Sequence, residues 1–302
     1  MRTRFRPNAQ LVARMSVTMF LLGLLYVGFA VALIVLLKSL ALIIVILAAL
    51  LVVQYWYSDK IALAALHGHE VSEAEAPQVH AIVDRLCASA DLPKPRVAIA
   101  DLDMPNAFAT GRNAKHAVVC VSTGLIRRLD EPELEGVIAH ELTHVAHRDV
   151  VVITVASFLG VLAGLLMRAA LFSQLFGGRQ RDQNTVLIFA AIAAVSAAVY
   201  AISYVLIRTL SRYRELAADH DGALLTGRPS ALASALVKVS GEQSRIPSRD
   251  LRGAQAFNAF FFSPVGAQWT LFSTHPSLQR RLEELEKIAA QLGDQNWSLP
   301  RS

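Results

Sequence analysis

The run His140-Glu141-Leu142-Thr143-His144 sets two imidazoles four residues apart, with a carboxylate beside the first. On a helix the two rings lie one turn apart on one face and can reach a single cation. A catalytic zinc takes three protein ligands and keeps its fourth position for water. Two histidines therefore call for a third ligand, and Glu141, pointing beside the metal, is placed to take a proton from that water. Glu215 in SRYRELAADHDGA (211–223) is the candidate third ligand, and Asp219, one turn further on, faces the same way. From there Asp219 can accept the second ring N–H of a ligating histidine, which fixes that ring's tautomer and angle. His147 and His220 occupy neighbouring positions and are assigned to the surface, because three protein ligands and a water complete such a site. His67, His69, His80 and His116 show no ligand spacing.

These side chains need a helix under the first motif and a route that returns position 215 to it. Asp130 is a good N-cap, Glu133 completes a capping-box pattern, and Pro132 falls in the first turn, so a helix is predicted from about 131 to 147. The return is supplied by apolar segments. Residues 150–172 and 185–209 are strongly hydrophobic and are separated by GGRQRDQN (177–184). A hairpin of two spans brings Glu215 back to the bilayer face that the first motif's helix left. Residues 15–57 carry one charge, Lys38. At about 1.5 Å per residue they would reach about 65 Å, twice what a bilayer core of about 30 Å can use. They are read as two helices near 15–36 and 40–57 turning at Lys38-Ser39, which makes four spans. The first 14 residues hold Arg2, Arg4, Arg6 and Arg14 and no acidic residue, a basic arm that the positive-inside rule keeps in the cytoplasm. No small-residue cleavage pattern follows, so the first span reads as an uncleaved anchor. Residues 58–149 and 210–302 then share the cytoplasmic side as two parts of one catalytic domain, although Arg179 and Arg181 would face outside and count against this orientation.

Composition agrees. The 302 residues are 54% hydrophobic and 18% charged, with mean hydropathy +0.43, whereas soluble domains carry about a quarter charged residues. A net charge of +5 with scattered Lys and Arg and no nucleic-acid motif reads as membrane topology rather than as a nucleic-acid partner. Cys87 and Cys120 are too few for a disulfide framework and read as reduced thiols. A helix is predicted over 73–90. RVAIA (96–100) and HAVVCVS (116–122) read as strands, with a turn at GRN (111–113) between them, which implies a small antiparallel sheet. Further helices are expected near 229–242 and 276–292, while FNAFFFSPV (257–265) suits a lid, a membrane contact or plain core equally.

Taken in order, these motifs resemble the HtpX-type heat-shock membrane zinc metalloproteases, a branch of the family that includes the CAAX prenyl protease. The likeness runs through MPNAFATG (104–111), STGLIRRLDEPELEGVIAHELTHVAHRD (122–149), SRYRELAAD (211–219) and STHPSLQRR (273–281). It implies a mainly α membrane protein with a small β-sheet, four transmembrane helices in two hairpins, and a cytoplasmic zincin-like (gluzincin) domain. It implies one Zn2+ held by His140, His144 and Glu215, Glu141 as catalytic base and Asp219 in support. Asn106 and His275 would border the substrate cleft, with Arg281 nearby. Asn106 is then part of an edge strand that takes substrate backbone by β-addition, and His275 stabilises an oxyanion or contacts substrate. The implied setting is the cell inner (plasma) membrane, the implied substrates are unfolded or damaged proteins, and self-cleavage is expected. An intramembrane protease fits less well, because Glu131, Glu133, Glu135, Arg148 and Asp149 surround the motif and charges at membrane depth are costly. A prenyl-protein protease needs more spans than four, and a scaffold with a structural metal has no use for Glu141.

Overall fold

The structure is a computed structural model that describes residues 9–36, 56–149, 183–245 and 275–294, with single positions between them. The turn at Lys38-Ser39, most of the spans near 40–57 and 150–172, the stretch 177–182 and FNAFFFSPV lie outside the described residues. The chain divides into two compact units. One is drawn from 13–56 and 152–210, the other from 57–151 and 211–302 with the first twelve residues.

After helix α1 (Ala9–Leu36) come α2 (Ser58–Ala65), β1 (Gly68–Glu70), α3 (Pro77–Ala90), β2 (Arg96–Ala100), β3 (Ala107–Thr110), β4 (Val118–Ser122) and α4 (Thr123–Arg128). Then follow α5 (Glu131–Ala146), α6 (Gln183–Thr226), α7 (Pro229–Arg245) and α8 (Leu278–Leu292). Among the described residues two helical stretches, Gln10–Phe29 and Val186–Thr226, are long and apolar enough to cross a membrane. Phe20, Leu24, Val27, Leu187 and Val205 on them are exposed, a surface that water disfavours and lipid accepts.

The sheet order is β1-β2-β4-β3. It is mixed, which corrects the expected antiparallel pairing. β2 and β4 run parallel, with Ala98 beside Cys120, while β1 and β3 flank them antiparallel. The reason is that the segment between β2 and β4 is no tight turn. It contains β3, which doubles back on β4 and pairs Phe108 with Cys120, leaving β3 at the sheet edge. β4 starts at Val118 because Ala114–His116 forms a 3-10 turn, capped by Asn113 accepting from the His116 N–H. α3 starts at Pro77 because Glu75 closes a turn by accepting from Ser72 N–H and Oγ.

One sheet face and four helices make the main core: Ile82 and Leu86 of α3, Val119 and Val121 of β4, Val137 and Leu142 of α5, Leu236 of α7 and Leu285 of α8. Leu63 and Leu66 cover the other face over Ala98, Phe108 and Cys120. Cys87 and Cys120 are free and buried, as reduced thiols should be. α5 is pinned at its start. Asp130 accepts from Glu133 N–H, Glu133 accepts from Asp130 N–H, and the Glu133 carboxylate also receives Ser234 Oγ at 2.6 Å and Lys238 Nζ of α7 at 2.7 Å. Two glycines set how closely its neighbours approach. A Cβ at Gly136 would lie 3.2 Å from the Leu232 backbone, and one at Gly222 would lie 3.0 Å from the His140 nitrogen.

Gly222→Val should therefore force α6 off α5, costing about 1–3 kcal/mol and lowering the melting temperature of the detergent-solubilised protein. Gly241→Ala, where a Cβ meets nothing within 4 Å, should instead stabilise α7 by about 0.5–1 kcal/mol. Equal shifts in the two melting curves would contradict a close-approach role for Gly222.

Candidate active site

α5 presents His140 and His144 one turn apart, and α6 presents Glu215 opposite them. The two Nε2 atoms are 3.2 Å apart, Glu215 Oε2 is 3.6 Å from His140 Nε2, and Glu215 Oε1 is 3.5 Å from His144 Nε2. Four ligands around a zinc with bonds of about 2.0–2.1 Å stand roughly 3.4 Å from one another. The triangle and its donors, two imidazoles and one carboxylate, fit that ion. Among the described residues this is the group of His, Cys, Asp and Glu atoms close enough to share a metal.

Each member is backed from behind. Asp219 Oδ1 lies 3.0 Å from His140 Nδ1, and Arg281 grips Asp219 with both prongs, Nε at 2.7 Å and Nη2 at 2.6 Å. Burial alone would push the Asp219 carboxyl up, yet Arg281 holds it below the ordinary range and so ionised. Burial opposes charge on His140, but the Asp219 and Glu215 carboxylates outweigh it and raise its pKa to about 9. Glu215 is fully surrounded. Burial works to raise its pKa, while the charge of His275 and hydrogen bonds from His140 and His275 keep it well below the carboxylate norm. His144 Nδ1 meets Asp149 Oδ2 at 2.5 Å, and Arg214 Nη2 reaches the same oxygen at 2.8 Å.

Glu141 is 4% exposed. Burial pushes its carboxyl above the ordinary range, against the pull of His140, His144 and the Ala109 N–H of edge strand β3. A carboxylate with a raised pKa is the stronger proton acceptor.

The structure thus brings together His140, Glu141, His144, Glu215, Asp219 and Arg281. His275 joins them, with Nδ1 2.8 Å from Glu215 Oε2. Asn106 stands at the entrance of β3, its N–H donating to Ser122 Oγ and its carbonyl accepting from Ser122 N–H, both at 2.8 Å. His147 and His220 are more enclosed than the surface assignment supposes, because the buried Asp221 takes both, at 3.1 and 2.8 Å. Sequence reasoning missed Asp149 and Arg214, treating Asp149 only as a charge beside the motif. The signal available was an Asp just past the end of one ligand-bearing helix and an Arg beside the ligand on the other.

Residues 73–289 match the model of peptidase family M48. The chain is 62% identical over 298 residues to Protease HtpX homolog 1 of Streptomyces coelicolor, a match covering 97% of this chain and 98% of that protein. It is 50% identical over 297 residues to a Protease HtpX homolog of Moorella thermoacetica, covering 97% and 99% of the two chains. Among solved structures it is similar to Ste24p of S. mikatae, with a TM-score of 0.52 and 17% identity over 92% of this chain and 67% of that one, a likeness of fold.

The Asp219–Arg281 pair gives the sharpest test of this geometry. Arg281→Ala strands a buried carboxylate and should cost about 3–5 kcal/mol, read from thermal melts. Arg281→Lys should not restore it, since an ammonium cannot replace a two-pronged grip. Full rescue by lysine would show that charge alone matters there.

Proposed function

The chain belongs to peptidase family M48 and is a membrane metalloprotease, and from that premise we propose a zinc-dependent endopeptidase that cleaves unfolded or damaged proteins on the cytoplasmic side of the cell membrane. The observation that carries this reading is the His140–His144–Glu215 triangle, with Glu141 buried beside it and outside the ligand set. His140, His144 and Glu215 would hold the zinc, which when bound would supply Lewis-acid chemistry for peptide hydrolysis.

Glu141 takes the proton of the attacking water and returns it to the leaving amine, and the Ala109 N–H fixes the carboxylate for that exchange. Asp219 keeps Nδ1 of His140 protonated so that Nε2 offers its lone pair, and Arg281 keeps Asp219 charged. His275 donates to Glu215 and borders the cleft from α8's N-terminal side. Edge strand β3, entered at Asn106, is the rail for substrate backbone. Main-chain pairing is tolerant of sequence but demands an extended segment, which favours chains that have lost their fold. A structural metal would have no need of a buried carboxylate beside the ligands, which weighs against a non-catalytic scaffold.

In this reading residues 15–57 and 150–209 form two transmembrane hairpins, residues 58–149 and 210–302 form one catalytic domain, and the basic arm 1–14 sets its side of the membrane. Glu141→Gln should leave zinc content and melting temperature near wild type while cutting casein cleavage by at least about 100-fold. Undiminished proteolysis in that variant, or a wild-type protein that purifies without metal and regains none, would sink the proposal.

A further inference from the structure

His144 has its own brace, supplied by an interruption of its helix. On an unbroken helix residue 149 would point about 140° away from His144. Instead α5 stops at Ala146, His147 N–H still bonds the Thr143 carbonyl, and Arg148 turns left-handed at φ 56°. A side chain with a Cβ disfavours that conformation, which at this position past a helix end normally belongs to glycine. The turn swings Asp149 back so that its Oδ2 meets His144 Nδ1 at 2.5 Å. The carboxylate is buried, 1% exposed, and its charge is answered by Arg214, the residue before Glu215 on α6.

We propose that Asp149 is the positioning residue for His144, that Arg214 holds it, and that the left-handed turn at Arg148 exists to deliver it. The inference rests on the metal-centre reading above. Nδ1 of His144 then donates to Asp149, which leaves Nε2 as the lone pair facing Glu215 and His140. The arrangement parallels His140, Asp219 and Arg281, so each imidazole has a carboxylate and each carboxylate an arginine. The two differ in grip. Arg281 closes on both Asp219 oxygens, whereas Arg214 shares Oδ2 with His144, and both Asp149 Oδ1 and Arg214 Nε are buried without hydrogen-bond partners. A single prong asks only for a positive charge, so lysine should serve at 214 although it fails at 281.

The test is zinc affinity of the full-length protein in detergent, measured by competition with a chromophoric chelator. Asp149→Ala should weaken zinc binding 10–100-fold, as removal of a ligand's hydrogen-bond partner does. The isosteric Asp149→Asn should also weaken it. Its melting temperature falls because Arg214 loses its counter-charge, but a cooperative melt of the chelator-stripped protein shows that it still folds, which separates metal positioning from misfolding and covers a misfolded alanine variant. Arg148→Gly, free to adopt the turn, should bind zinc like wild type, and β-branched Arg148→Val should not. Arg214→Lys should stay within a few-fold of wild type. Wild-type affinity in Asp149→Asn, while His144→Ala loses zinc, overturns the brace and leaves the metal centre standing. Undiminished binding in His144→Ala would instead overturn the metal centre itself.

Discussion

A carboxylate or an imidazolium cannot be left alone in a dry interior, and that single constraint shapes the catalytic unit. Glu141, Asp149, Glu215 and Asp219 are all buried within one small region. Taking an ion out of water costs several kcal/mol unless a partner and hydrogen bonds compensate it. The chain answers with Arg281 for Asp219, Arg214 for Asp149 and His275 for Glu215. Glu141 has the weakest compensation, one backbone N–H and two nearby rings, and it is the carboxylate whose pKa rises. The group left under-compensated is the one that the proposed mechanism asks to move a proton.

The scaffold serves the same constraint. Polar atoms can sit 3–4 Å apart across two helices only if the helices approach closely, and Gly222 against the His140 backbone allows it. α5 is further fixed at its start through Glu133, whose carboxylate caps its own helix and bonds α7 at once. The sheet supplies β3, whose Ala109 N–H links the edge strand directly to Glu141. The proposed proton acceptor and the proposed rail for a substrate backbone are therefore adjacent.

Much of this was legible because it repeats with helical period. The histidine pair, the capping box and the Glu215–Asp219 spacing are local patterns, and each appears in the structure where the periodicity puts it. Arg281 and His275 carry no such pattern and were reached only through resemblance. The mixed sheet was not legible because β3 is four residues of Ala, Phe, Ala and Thr, too short and too weakly β-branched to announce itself. Asp149 was hidden for the opposite reason, since helical periodicity points it the wrong way. Only the positive φ at Arg148, a feature that sequence rules assign to glycine, reverses the direction.

The candidate ligand set is also divided along the chain. The part before the second apolar segment holds His140, Glu141, His144 and Asp149, and the part after it holds Arg214, Glu215, Asp219, His275 and Arg281. Neither part has three ligands, and the first cannot neutralise its own buried Asp149, which needs Arg214, whereas the second carries its own partners, Arg281 for Asp219 and His275 for Glu215. The first part alone offers two imidazoles, a pair that binds metal weakly and leaves Asp149 without its counter-charge. The three candidate ligands therefore come together only where α6 packs against α5.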